Sequence, residues 1–155
     1  MRKQILCVLC GLSLGTILAL SSCSGYAMQD NTAAKAQQQN RNYMSQVHVI
    51  AEDISSTLQD FNDALGQDNE VKMQNALSSV NAYIEKLEAI EAPSVLEEIH
   101  DKYVEGTQKL EEALESYVEY YSSEEKDVSA LETIQQTYSS GIKLLEEADN
   151  IAAGL

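Results

Sequence analysis

The chain has 155 residues, ten basic and 25 acidic, which gives a formal charge of −15 at neutral pH. That length suits a single domain. The sign of the charge argues against nucleic acid, whose binding needs Lys and Arg to displace counterions, and against a domain lying flat on an anionic membrane.

The N-terminus opens with a short positive region, Met1-Arg2-Lys3. An apolar stretch runs from Ile5 to Leu20, diluted by Gly11, Ser13, Gly15 and Thr16. This is the layout of a secretory signal peptide. A spanning helix needs about 20 predominantly apolar residues, and this run falls short. It stops at Leu20-Ser21-Ser22-Cys23, which resembles the lipobox of bacterial lipoproteins: a Leu, two small residues, then the cysteine that takes the lipid. The resemblance implies cleavage before Cys23 and a diacylglyceryl group on its sulfur. Two acyl chains hold a protein at a membrane where one holds it only marginally. An uncleaved anchor or an ordinary signal peptide is the alternative.

Cleavage there would remove Cys7 and Cys10, so their C-x-x-C spacing is not read as a redox motif. Cys23 would be the one cysteine left, and the mature domain would have no disulfide. Losing Arg2 and Lys3 and no acidic residue takes the charge to −17. Repulsion is then expected to hold the domain away from the lipid surface. Residues 23–40 comprise Cys23 and "SGYAMQDNTAAKAQQQN", which has small and amide side chains without apolar periodicity. They read as a flexible tether that could reach roughly 60 Å fully extended, with its end toward residue 40 open to joining the first helix.

Residues 41–155 read as the folded domain. Apolar residues recur at three and four, the helical spacing. The first seam is Tyr43, Val47, Ile50, Ile54, Phe61 and Leu65, with Leu58 beside it, broken by "LGQDNE". The second is Met73, Leu77, Val80, Ile84 and Leu87, ending near "EAPS". A third runs Leu96, Ile99, Tyr103, Gly106, Leu110, Ala113, Tyr117, Tyr120. The fourth runs Leu131, Ile134, Tyr138, Gly141, Leu145, Ala148, Ala152, Leu155. Ser94-x-x-Glu97 and Ser129-x-x-Glu132 have the form of capping boxes, and Pro93 is placed to stop the second helix. Four such segments with short connections predict an all-α fold, an antiparallel up-down four-helix bundle. A three-helix bundle with the first segment partly detached is the alternative.

Candidate chemistry is sparse. Glu97-x-x-His100 resembles half of a di-iron bundle motif, and His48 is followed by Glu52. Because the seams run through neighbouring positions, these four side chains take different bearings, so no metal site and no cofactor are expected. Glu98, Glu105, Glu112 and Glu119 recur every seven residues as a solvated face, without the spacing of a calcium loop. No nucleophile has a base and an orienting group in a recognisable pattern, so no catalytic residue is assigned and no enzyme is expected.

Gly106 and Gly141 stand in seams, although glycine inside a helix costs about 1 kcal/mol relative to Ala. Folding helices 3 and 4 about "SSEEKD" makes the two glycines face each other. They predict either a close helix contact or a small cavity rimmed by Tyr103 and Tyr138 that takes an apolar or aromatic ligand. Tyr120 and Tyr121 cannot both face inward. With Val104 and Val118 they are a candidate contact surface for a partner.

The segment "LEAIEAPSVLEEIHDKYVEGTQKLEEALESYVEY" is similar to a pattern of small helical lipoproteins of Gram-positive bacteria: lipobox, low-complexity tether, then helices with an Ala-Pro break. The resemblance implies export and attachment to the outer face of the cell membrane through lipid on Cys23. The expected role is non-enzymatic binding or accessory work with a protein partner at the cell envelope. A small-molecule carrier is the alternative.

Overall fold

The computed structural model describes residues 31–154. Residues 1–22, expected to be a signal peptide, Cys23, the first part of the expected tether and Leu155 lie outside the described residues. Four helices come in order: α1 (Asn31–Gly66), α2 (Glu70–Glu88), α3 (Glu97–Ser122) and α4 (Val128–Ala153). One 3₁₀ turn, Ser94–Leu96, leads into α3. No strand occurs among the described residues. Short links set consecutive helices antiparallel, and the fold is an all-α four-helix bundle.

Residues 31–40, expected in the tether, are instead the first turns of α1. The reason is local. Ala33, Ala34, Ala36 and the neighbouring Lys and Gln residues are good helix formers. Once Tyr43 and Val47 nucleate α1 by packing, extending it backwards adds a hydrogen bond for each residue fixed.

The helix ends also differ in detail from the capping boxes. Asn69 caps α2 by accepting from the Lys72 amide, and Asp68 before it takes φ 50° to make the turn. Asp127 caps α4, accepting from both the amide and the hydroxyl of Ser129. Ser94 opens the 3₁₀ turn, and α3 starts behind Leu96 without a side-chain cap. Pro93 does not itself end α2, which stops at Glu88. Its carbonyl accepts from the Leu96 amide and so fixes the turn into α3.

The seams meet inside. α3 packs against both α2 and α4, so it buries two stripes: the expected seam and, beside it, Thr107 and Leu114. α4 packs closely on α3 alone and buries Ile134, Tyr138, Gly141 and Ala148. Leu131, Leu145 and Ala152 remain half-buried. On α1, Leu58 is a full core residue and Ile50 is half-buried, the reverse of the expected order.

The core divides in two. One cluster gathers Leu58, Phe61, Met73, Val80, Leu110, Leu114 and Tyr117 near the end of the bundle that holds the α1–α2 and α3–α4 turns. The other gathers Tyr43, Val47, Leu87, Leu96, Ile99, Tyr103 and Ala148 at the opposite end. Ile50 and Leu145 pack against both.

Gly106 and Gly141 bring the α3 and α4 backbones together. A methyl group built on Gly141 would lie 2.8 Å from the Gly106 carbonyl oxygen and 3.1 Å from the Leu110 amide nitrogen. One built on Gly106 would meet the Leu145 side chain at 2.8 Å and the Gly141 carbonyl oxygen at 3.1 Å.

This asymmetry predicts that Gly141→Ala forces two backbones apart and costs about 1–3 kcal/mol, outweighing a propensity gain of about 1 kcal/mol. Gly106→Ala costs less, because Leu145 can change rotamer. Urea unfolding midpoints of the two variants check the order. Asp127→Ala should cost about 1 kcal/mol by the same measurement, through loss of the α4 cap.

Candidate functional site

The glycine pair admits a contact or a cavity between α3 and α4, and its geometry leaves no room for a ligand there. The space lies elsewhere. A small apolar cavity of about 30 Å³ sits where the two core clusters meet, under α1. Val47, Ile50, Ile54 and Leu58 of α1 line one side, and Tyr103, Thr107, Leu110 and Leu145 the other. Of the expected ligand residues, only Tyr103 borders it. Gly106 and Gly141 are spent on the helix contact, and Tyr138 is 4% exposed within the first core cluster.

The cavity exists because α1 and α4 meet through side chains, whereas α3 and α4 touch at their glycines. Two of its polar neighbours are already engaged. The Thr107 hydroxyl donates to the carbonyls of Tyr103 and Val104 in its own helix. The Tyr103 hydroxyl donates to Asp149 Oδ1 at 2.6 Å. A cavity of about 150 Å³ is known to take benzene, so this one has room for about a methyl group and not for an aromatic ligand.

Around it, tyrosines form a set of partly polar contacts at the end of the bundle where α1 and α3 begin. Tyr43 hydrogen-bonds His100 Nδ1 at 3.2 Å, with the rings edge-to-face at 5.8 Å. Beside Tyr103–Asp149, Lys102 pairs with Glu147 at 3.0 Å and ties α3 to α4 a second time. In the other cluster, the Phe61 and Tyr117 rings lie 6.3 Å apart.

Burial keeps these phenols neutral. It pushes Tyr43, Tyr117 and Tyr138 up to about 12, with smaller contributions from Asp101, Tyr121 and Tyr117 respectively. Gln135 hydrogen-bonds Tyr117 and offsets part of its shift. Tyr103 is held still higher, first by burial and then by the hydrogen bond and charge of Asp149. A phenol so held is a structural hydrogen-bond donor at neutral pH and a poor acid.

The remaining candidates do not converge. His48 pairs with Glu52 of its own helix at 3.4 Å, exposed to solvent. His100 is occupied by Tyr43, and Glu97 is exposed. Among the described residues, no group of three or more His, Cys, Asp or Glu side chains is placed to hold a metal ion. Glu98, Glu105, Glu112 and Glu119 all face solvent. A polar groove of about 610 Å³ runs along α1 and α2, edged by Asp53, Asp60, Asp63 and Lys72. On the flank between α2 and α3, Glu111 is raised by partial burial and by Glu115, Glu88 and Glu85.

The tyrosine surface is also altered. Tyr120 and Tyr121 stand edge-to-face at 5.3 Å, both half-buried, with the Lys126 ammonium over both rings. Val118 packs beside them on the first cluster, while Val104 packs on the second. The four do not make one patch. Asp149 was the partner that sequence reasoning missed: the fold-back places Tyr103 opposite Leu145, one turn short of it.

The chain belongs to the DUF6376 family, a family of unknown function whose sequence profile matches residues 36–151. The matched span covers most of α1 and all of α2 and α3, and it ends within the last turn of α4. No curated protein and no solved structure matches the chain.

The tyrosine shifts predict alkaline sensitivity. In the unfolded chain these phenols ionise near the usual value of 10.0, while the folded protein holds Tyr43, Tyr117 and Tyr138 protonated to about 12. Between those values the native state binds more protons. Stability is therefore full below pH 10 and falls as pH rises toward 12. Urea unfolding at pH 9, 10 and 11 measures the slope, which Tyr138→Phe should reduce.

Proposed function

We propose that this DUF6376 protein is a bacterial lipoprotein, anchored by a diacylglyceryl group on Cys23 to the outer face of the cell membrane. Its helical bundle has a non-enzymatic binding or accessory role toward a protein partner of the cell envelope. One observation carries the anchoring: the apolar stretch behind Met1-Arg2-Lys3 ends at Leu20-Ser21-Ser22-Cys23. The described helices start at Asn31 and the family match at residue 36. Cleavage before Cys23 would thus leave every described helix whole.

A binding role, not a catalytic one, suits the way reactive side chains are used. His100, Tyr103 and Asp149 are engaged in contacts between helices, and the carboxylates cover convex faces. A carrier of small molecules is the weaker reading. It needs space between α3 and α4, and the backbones meet there.

Feeding an alkyne analogue of palmitate to bacteria that express the full chain tests the anchor. The wild type should take the label and sediment with membranes, and Cys23→Ala should lose the label and appear in the soluble fraction. A Cys23→Ala protein that stays labelled and membrane-bound would overturn the proposal.

A further inference from the structure

Charge is divided along this molecule in a way that the bundle's shape makes directional. Residues 31–51 contain no acidic side chain. Their formal charges are Lys35 and Arg41. Apart from Asp30, every Asp and Glu lies between Glu52 and Asp149. In space, residues 31–42 are the turns of α1 that precede its first buried residue, Tyr43. Lys35 and Arg41 are exposed, and the side-chain bonds Gln38–Asn42 and Arg41–Gln38 run within the helix itself. These turns extend about 18 Å. That is about two Debye lengths at physiological salt, one being about 8 Å.

We propose that residues 31–42 are the face this protein turns toward an anionic lipid surface, so that the bundle stands end-on, with its acidic flanks held off the lipid and its Tyr120–Tyr121 end outward. The biological setting rests on the lipoprotein reading; the orientation rests on charge and shape. Basic residues near an anionic surface are attracted and carboxylates repelled, and both effects fade within a Debye length. Lying on its side, the bundle would bring rows such as Glu98, Glu105, Glu112 and Glu119, or Asp53, Asp60 and Asp63, into the negative potential. Standing on the N-terminal turns of α1, it brings Lys35 and Arg41 there instead. Asp30, directly ahead of these turns, is the one acid that goes with them; the others, such as Glu97 and Glu98 at the start of α3, stay a helix extension away. Cys23 precedes Asn31 by a stretch that spans at most about 28 Å, which keeps this end of α1 close to an anchored Cys23.

Residues 23–155 contain every described helix and a single cysteine. Coupling them through the Cys23 thiol to a maleimide lipid fixes the anchor chemically, whether or not cells lipidate it. The orientation can therefore fail while the lipoprotein reading stands, and the reverse. Neutron reflectometry then reads the thickness of the protein layer. The length of α1, about 54 Å for 36 residues, predicts a layer of about 50 Å on phosphatidylglycerol-rich bilayers. A bundle on its side gives about 25 Å, two helix diameters. On phosphatidylcholine the layer should be thinner, because nothing selects the upright pose. The double variant Lys35→Glu, Arg41→Glu should lose the thick layer on phosphatidylglycerol while keeping wild-type helicity by circular dichroism. A thin wild-type layer on phosphatidylglycerol, equal thickness on both lipids, or no response to charge reversal would each overturn the proposal.

Discussion

The contact between Gly106 and Gly141 organises this bundle. With no side chain on either residue, the α3 and α4 backbones approach until the carbonyl of Gly106 fills the place where a Cβ of residue 141 would stand. Two glycines in helix interiors weaken both helices by about 1 kcal/mol each, so the contact has to return at least that much through dispersion between closely packed atoms. It makes α3 and α4 the tightest pair. Lys102–Glu147 and Tyr103–Asp149 add polar ties toward one end of it.

That pairing leaves α1 a looser seat. Because α4 is drawn onto α3, it faces α1 across intervening side chains. Ile50 and Leu145, which span the gap, are the residues shared by the two core clusters. The apolar cavity lies at that junction, with the Thr107 hydroxyl turned back on its own helix and the Tyr103 hydroxyl onto Asp149. It is a packing remainder, too small to serve as a pocket for an aromatic ring. The same arrangement separates functions along the molecule: buried tyrosines and aliphatic residues hold the rods together, while charge is left for the outside.

That outside is uneven, and its unevenness carries the proposal about orientation. A bundle of this acidity repels an anionic surface from nearly every side. The polar turns at the start of α1 interrupt the repulsion at one end. Helix propagation is what makes the interruption useful, since a flexible tether would let Lys35 and Arg41 fold back beside the acids, whereas a continued helix keeps them on the bundle's axis.

The sequence by itself determined the helical class, the four helices of residues 31–154 and most of their inward faces, because a spacing of three and four comes from helix geometry and needs no partner to be legible. It also marked Gly106 and Gly141 as a pair, since an antiparallel fold-back is arithmetic on residue numbers. Three things were decided only in three dimensions. The start of α1 moved from 41 to 31, because local composition is ambiguous where a packed helix can extend itself. Leu58 exchanged places with Ile50, and Thr107 and Leu114 became core, because burial depends on which neighbours a helix meets, and α3 meets two. The choice between cavity and contact at the glycines was settled by how far two backbones can close, a distance that depends on every other residue in the interface and that no pattern along a single chain encodes.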